Sequence, residues 1–267
     1  MAEQPQPQDL SSWATQFRSA MGGLTHEWGF VVVRTAYDAD VDEAQWAAAM
    51  EKLRAYASPH DDEIKMDPDA LALPIIADST MLRDADHATV RRAFNSWIDD
   101  FARCEKSDQD DKWPSNVRRD ACIVIDKPAL ASLLNAPDFV PGKLPNPQLE
   151  PWVVVVDAED PAYIPYRGGG PYMGFTRAYA SALSELYDGL TYWSLERVAP
   201  IRHYHGQIPL YDGSYKGKFV DPPGGVQGRY RFPQGTPRGK EGAEAMLREI
   251  QQALGASVLL QEASSTE

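Results

Sequence analysis

The sequence predicts an α+β fold in which helices pack on one face of a mainly antiparallel sheet, with a ferredoxin-like arrangement as the expected topology. Short β-branched runs alternate with longer segments whose apolar residues recur every three or four positions, in the order strand, helix, strand, helix, strand, strand. Hydrophobic residues make up 43% and charged residues 24% of the 267 residues, which is the composition of a globular protein. No purely apolar run approaches the roughly 20 residues that span a bilayer.

The first half of the chain carries the clearest elements. Residues 28–35 are a continuous β-branched run that is typical of a buried strand. Asp42 precedes a segment with helical spacing and is expected to cap it, and Pro59 is expected to end it. The elements predicted here are a helix over 10–21, a strand over 28–35, a helix over 42–58, a strand over 73–77 and a helix over 86–104.

The second half is predicted from similar signals and ends in a less regular region. Pro128 is placed for the first turn of a helix, and Gly255 is placed to close the last one. The elements predicted here are a strand over 121–125, a helix over 128–134, a strand over 152–156, a helix over 172–187, a strand over 192–198 and a helix over 241–254. Residues 199–238 are rich in Gly, Pro and Tyr and show no period.

We expect one domain over residues 10–255, with disordered tails at 1–9 and 256–267. The first tail is rich in Pro and Gln, and both ends lack an apolar period. Alternation along the strands and apolar stripes on the helices predict one common core. Its expected members are Trp28, Phe30, Val32, Trp46, Leu53, Phe94, Trp97, Ile123, Ile125 and Val154.

The segment from Trp28 to Tyr37 has the pattern G-F-V-x-x-R-T-x-Y and is followed by Trp46 in the next predicted helix. In this pattern, in the helix over 92–97 and in the strand over 122–126, the first half of the chain resembles a group of uncharacterised fungal proteins. The resemblance implies no activity and no catalytic residues.

Basic and aromatic residues concentrate between positions 197 and 240. Eight Lys and Arg side chains stand there against two Asp, in a chain whose net charge is −13. Arginine forks and stacking rings suit a small planar anion, so we expect ligand-binding roles for Arg202, Tyr204, Arg229 and Arg231. The other interpretation is a basic flap that docks on the acidic body. The acidic net charge argues against nucleic acid as the partner.

His203 and His205 are the candidate acid–base residues. Residues two apart on an extended segment face the same side, so both imidazoles could also hold a metal. The sequence offers no third ligand in the pattern, and we predict no metal and no cofactor. Surface or core packing is the remaining interpretation.

Two further positions are candidate ligand contacts. Arg34 lies inside a Val-rich strand, where a guanidinium must face solvent, a ligand or a carboxylate such as Asp78 or Asp126. Arg167 begins the loop Arg-Gly-Gly-Gly-Pro, whose free backbone N–H groups suit an anion, although the pattern is more typical of a simple flexible link. Carboxylates also follow the strand over 152–156, as site groups or as turn formers.

These observations lead to two hypotheses. The first is a cofactor-independent enzyme that acts on a small anionic or aromatic metabolite. The second is a non-catalytic ligand-binding or protein-interaction module. The chain begins without a basic and apolar leader and contains two cysteines without CxxC spacing, so a cytoplasmic location with reduced thiols is expected. The oligomeric state is left open.

Overall fold

The computed structural model describes residues 15–37, 42–59, 66–104, 115–142, 146, 148–164, 172–202, 207–214, 217–220, 240, 242, 244–252 and 255. Both predicted tails lie outside these residues. No helix in the described part of the chain is both long and apolar enough to cross a membrane.

Helices and strands alternate along the chain. The helices are α1 (residues 15–21), α2 (Glu43–Ala57), α3 (Ser79–Leu82), α4 (His87–Cys104), α5 (Lys127–Asn135), α6 (Leu183–Tyr192), α7 (Leu195–Val198) and α8, whose described residues lie between 240 and 255. The strands are β1 (Trp28–Arg34), β2 (Leu71–Ala72), β3 (Ile75–Ala77), β4 (Asn116–Ile125), β5 (Trp152–Asp157), β6 (Phe175–Tyr179), β7 (Ile208–Tyr211) and β8 (Lys218–Val220).

Capping residues begin two of the helices where the sequence predicts them. The Asp42 carboxylate accepts the N–H of Gln45 at 2.7 Å, and the Gln45 side chain accepts the Asp42 N–H, which forms a capping box at the start of α2. Asp126 accepts the N–H of Ala129 at 2.8 Å, and Pro128 lies in the first turn of α5. These helices therefore begin within a residue or two of the predicted positions.

The strands form one mixed sheet of eight strands in the order β2-β1-β4-β5-β6-β7-β8, with β3 also paired to β1. β1 runs parallel to β2, β3 and β4, and β6 runs parallel to β7. The other neighbours, β4–β5, β5–β6 and β7–β8, are antiparallel. The α+β class is confirmed, but the mainly antiparallel sheet is wrong. The helices α2 and α4 are long enough to return the chain to the start of the sheet, which makes the following strands parallel. The ferredoxin-like topology stays a prediction.

Helices cover both faces of the sheet, so the predicted single core on one face is also wrong. On one face, called the α2 face, Phe30, Val32 and Ile123 pack with α2, α5 and α6. On the other face, called the α4 face, Val31 and Val33 pack with α1 and α4. All ten predicted core residues are buried. The α2 face holds Trp28, Phe30, Val32, Trp46, Leu53, Ile123 and Ile125, and the α4 face holds Phe94, Trp97 and Val154.

The region over 172–198 differs most from the prediction. The expected helix over 172–187 is replaced by β6 and the first half of α6, and the expected strand over 192–198 is replaced by α7. β6 pairs with the buried β5 over its whole length. This long-range pairing overrides the local helical tendency of the segment. The predicted irregular segment over 199–238 includes β7 and β8.

Candidate functional site

Arg34 ends β1, and its guanidinium has polar and aromatic partners within this chain. Its guanidinium carbon lies 4.6 Å from the Trp46 ring centroid and 4.8 Å from the Tyr37 ring centroid. Nη1 donates to the Glu43 carboxylate at 2.8 Å, and Nε donates to the carbonyl of Ala36 at 3.1 Å. The carboxylate partner is therefore Glu43, whereas the sequence pointed to Asp78 or Asp126. A ligand-binding role for Arg34 stays a prediction.

Arg202 is the other predicted ligand contact within the described residues. It is buried, and its Nη2 donates to Oε1 of Glu249 on α8 at 2.5 Å. Its charge is thus matched by a carboxylate of this chain, and its predicted role as an anion clamp has no support from this contact. The remaining candidates lie outside the described residues: Arg167, His203, Tyr204, His205, Arg229 and Arg231.

The carboxylates after β5 form turns, which is one of the two roles that the sequence suggested for them. Asp157 Oδ1 accepts the N–H of Glu159 at 2.9 Å, and Asp160 Oδ1 accepts the N–H of Ala162 at 2.9 Å. Asp157 is also buried and accepts the Tyr172 hydroxyl at 2.7 Å. Burial raises the pKa of Asp157 to about 6, although hydrogen bonds from Tyr172 and Glu159 act in the opposite direction.

Among the described residues, Arg34 and the strand-end carboxylate Asp157 do not lie together. Arg34 is in register with Ile125 at the end of β4, and Asp157 is in register with Ala121 on the same strand. The four residues from Ala121 to Ile125 correspond to about 13 Å along a strand. Among the described residues, no three His, Cys, Asp or Glu side chains are grouped as metal ligands.

A different set of side chains, on the α4 face of β5 and β6, has the character of a ligand site. We call it the basic–aromatic surface, and it consists of His87, Trp152, Phe175 and Arg177, with Asp126 nearby. The His87 ring lies 4.1 Å from the Phe175 ring, measured between centroids. The Arg177 guanidinium lies 3.8 Å from the Trp152 ring centroid. Phe175 and Arg177 are two residues apart on β6 and so share a face, about 7 Å from each other.

The two basic groups of this surface, His87 and Arg177, are half-buried. Within the described residues, the side chains of Arg177 and His87 make no hydrogen bond and no ion pair. Burial lowers the pKa of Arg177 from its ordinary value, and the Asp126 carboxylate acts against this shift. Burial also lowers the pKa of His87; Asp126 opposes this and Arg91 adds to it. The imidazole is therefore neutral near pH 7, and the guanidinium has its N–H donors available.

An arginine on α4 holds the strands beneath this surface in place. Arg91 follows His87 by one helical turn and is buried. Its Nε donates to the carbonyl of Asp157 at 2.8 Å, and its Nη2 donates to the carbonyl of Gly174 at 2.8 Å. We call this arrangement the Arg91 clamp. It joins α4 to the end of β5 and to the residue that precedes Phe175, so it positions His87 against Phe175.

His87 and Arg177 were not predicted from the sequence, for two different reasons. Arg177 was placed inside a predicted helix, and in a helix residues two positions apart, such as Phe175 and Arg177, do not share a face. The segment Phe-Thr-Arg-Ala-Tyr is rich in aromatic and β-branched residues, which is a strand signal that could have identified a shared face for Phe175 and Arg177. His87 lies in the first turn of the helix predicted over 86–104, and no local pattern indicates its contact with a residue 88 positions later.

No family model matches this chain, and searches of curated proteins and of solved structures found no similar protein. The proposals below therefore depend on the geometry of this chain alone.

Proposed function

We propose that the protein is a cofactor-independent enzyme that binds a small aromatic anion on the basic–aromatic surface. The observation that carries the proposal is the half-buried guanidinium of Arg177, which has no hydrogen-bond partner among the described residues. Placing such a cation in partly dry surroundings is unfavourable unless an anion or water completes its hydrogen bonds. A carboxylate or phosphate group matches the fork of an arginine in bidentate geometry.

The aromatic part of the ligand follows from the neighbours of Arg177. Trp152 already stacks on one face of the guanidinium, and the Phe175 side chain lies beside it on β6. A planar ring next to the anionic group would extend this stack and cover apolar surface. A ligand with an anionic group and an aromatic ring would therefore fit both the guanidinium and the rings of the basic–aromatic surface.

Acid–base chemistry is assigned to His87. Because burial lowers its pKa, the imidazole is unprotonated near neutral pH and has a nitrogen lone pair for a ligand proton. The anionic group held by Arg177 would place the ring of the ligand near Phe175, which His87 contacts. His87 would then act as the general base, while Arg177 would orient the substrate.

A thermal-shift screen of aromatic carboxylates and aryl phosphates tests the proposal. We expect at least one class to raise the melting temperature of the wild type and to have no effect on Arg177→Gln. Arg177→Lys keeps the charge but loses the bidentate fork, so its response is expected to be weaker than that of the wild type. Arg119→Gln, which removes an exposed arginine on β4, is the charge-matched control. If no compound stabilises the wild type, or if the Arg119 variant loses the effect as well, the proposal is wrong.

The second hypothesis, binding without chemistry, is separated by His87→Gln. An enzyme variant is expected to retain ligand binding and to lose turnover of the ligand. A purely binding protein would show no turnover in the wild type and would retain binding in the variant. Affinity also reports on the imidazole: it should rise as the pH falls through the lowered pKa of His87, because the protonated ring adds a second cation. This pH dependence should be absent in His87→Gln.

A further inference from the structure

A serine and a glutamate lie side by side just beyond the paired residues of β5 and β6. The pairing continues past the strand ends, because the N–H of Ala180 donates to the carbonyl of Pro151 at 2.8 Å. In the register of the β5–β6 ladder, Glu150 is the residue opposite Ser181. The Ser181 hydroxyl donates to Oε1 of Glu150. The backbone pairing of the two segments therefore holds this serine against a carboxylate.

Ser181 also lies in the turn that joins a strand to a helix. β6 ends at Tyr179, a 3₁₀ turn over Ala180–Ala182 follows, and α6 begins at Leu183. A strand-to-helix turn is a position from which serine hydrolases present their nucleophile. Ser181 and Glu150 are both half-buried, so a small molecule can reach the pair while part of its surroundings is dry.

The surroundings of Glu150 make it a better proton acceptor than an exposed carboxylate. Burial raises the pKa of Glu150, and the charges of Asp212 and Glu185 raise it further. The hydrogen bond from Ser181 and the charge of Lys218 act in the opposite direction. A general base works best when its pKa is close to the working pH, and a raised pKa moves a carboxylate toward that condition.

Contacts within the chain fix the other polar groups around the pair. Nζ of Lys218 lies 3.5 Å from Oδ2 of Asp212 and 4.8 Å from the ring centroid of Tyr179, two positions before the serine. On α2, burial raises the pKa of Tyr56, and the negative charge of Glu150 adds to this shift. The carboxylate of Glu150 is thus influenced by charged or polar groups from α2, α6 and the β7–β8 hairpin.

We propose that Ser181 is a nucleophile with Glu150 as its general base, and that this pair hydrolyses a carboxylic ester with a good leaving group. Oγ of Ser181 bonds to the carbonyl carbon of the ester, its proton passes to Glu150, and the bond to the leaving alcohol breaks as the alcohol takes up that proton. Water then attacks the acyl-serine and gives a proton to Glu150. The acid is released as Oγ regains this proton. The pair shares no residue with the basic–aromatic surface, so this activity is additional to the proposed function.

Diisopropyl fluorophosphate tests the nucleophile directly, because it phosphorylates an activated serine and releases fluoride. We expect the full chain to gain one phosphoryl group, which peptide mass mapping locates at Ser181. Ser214 is the internal control: its hydroxyl also donates to a carboxylate, Oδ1 of Asp212 at 2.6 Å, but Ser214 is exposed. We also expect turnover of p-nitrophenyl acetate above the rate in buffer, and loss of this turnover in Ser181→Ala.

Glu150→Gln is the decisive variant. The amide oxygen of the variant can still accept the Ser181 hydroxyl, but it cannot take up its proton, so labelling should slow about 100- to 10,000-fold. In the wild type, the labelling rate should rise with pH and level off once Glu150 is ionised. Lys218→Met should move this rise to higher pH and Glu185→Gln to lower pH, because the two charges act on Glu150 in opposite directions.

Four results would each overturn the proposal: no labelling of the wild type, labelling of Ser181 no faster than that of Ser214, an unchanged rate in Glu150→Gln, or no turnover of p-nitrophenyl acetate. Arg177→Gln and His87→Gln should be labelled at the wild-type rate. Failure of this proposal is therefore distinguishable from failure of the function proposed for the basic–aromatic surface.

Discussion

Replacement of Gly174 by alanine tests the Arg91 clamp beneath the basic–aromatic surface. Gly174 has a φ of +72°, in the left-handed region that favours glycine. A Cβ atom at this position would lie 2.1 Å from Nη2 of Arg91 and 2.8 Å from Cδ of Pro161. The substitution therefore imposes backbone strain and also forces the guanidinium away from the carbonyl of Gly174.

The expected loss of stability combines these two effects. An alanine in the left-handed region costs about 1–2 kcal/mol. Loss of a hydrogen bond from a buried charged donor costs about 1.5–3 kcal/mol. We therefore expect Gly174→Ala to reduce the free energy of unfolding by about 2.5–5 kcal/mol.

Gly142→Ala is the matched control, because Gly142 has a φ of +76° and no atom lies within 4 Å of its added Cβ. It carries the backbone strain without the clash, so its cost should be about 1–2 kcal/mol. Urea denaturation followed by tryptophan fluorescence gives both free energies of unfolding. A double-mutant cycle with Arg91→Met should remove most of the extra cost of Gly174→Ala. Equal losses in the two alanine variants would refute the clamp.

Three other predictions concern buried groups. Trp97 is completely buried on the α4 face, so Trp97→Ala should cost about 3–5 kcal/mol in urea denaturation, whereas the exposed Trp193→Ala should cost far less. Cys122 is fully buried, and burial raises the pKa of its thiol to about 12. In a Cys104→Ser background, a thiol reagent should therefore label Cys122 only when the protein unfolds. Rapid labelling of the native protein would contradict this burial. Burial raises the pKa of Asp157 in the folded protein to about 6, above its unfolded value, so the native state binds this proton more tightly than the unfolded state. The free energy of unfolding should therefore fall by about 2–3 kcal/mol as the pH rises from about 4 to above 6. Asp157→Asn should remove this fall and Asp69→Asn, at an exposed site, should keep it; the same pH profile in all three proteins would show that another group is responsible.

The strands of the central sheet could be predicted because their sequences are continuously apolar. The runs Phe30 to Val33 and Val153 to Val156 are continuously apolar and rich in valine, which suits a strand buried on both faces. The same continuity implies helices on both sides, because an apolar run has no polar face to turn to solvent. The one-face arrangement was expected despite this signal, and the structure corrects it. Strand order and direction depend on long-range pairing, which local patterns do not encode.

The functional side chains were harder to predict than the fold. Arg34 was correctly recognised as unusual, yet its partners Glu43, Trp46 and Tyr37 are near neighbours in sequence that satisfy it locally. Arg177 was not recognised, because its importance depends on the absence of such partners among the described residues. A charged residue in an apolar strand draws attention from sequence alone, whereas an incompletely paired one is visible only when its surroundings are known.

The position of the proposed site also departs from what the topology suggests. The helices α2 and α4 lie on opposite faces of the sheet, and both connect parallel strands. Open α/β sheets bind ligands at the carboxyl ends of the two neighbouring strands whose connections leave in opposite directions. In this sheet those two strands are β1 and β4. In this chain that position is closed by the backbone. The N–H groups of Thr35 and Ala36 both donate to the carbonyl of Ile125, at 3.1 and 3.3 Å, and the ion pair between Lys127 and Asp84 at 3.0 Å joins the segments that follow β4 and α3. The polar groups named here have partners, whereas the Arg177 side chain on the α4 face of β6 makes no hydrogen bond within the described residues. Our proposal therefore places the ligand by the half-buried guanidinium of Arg177 and not by the strand order.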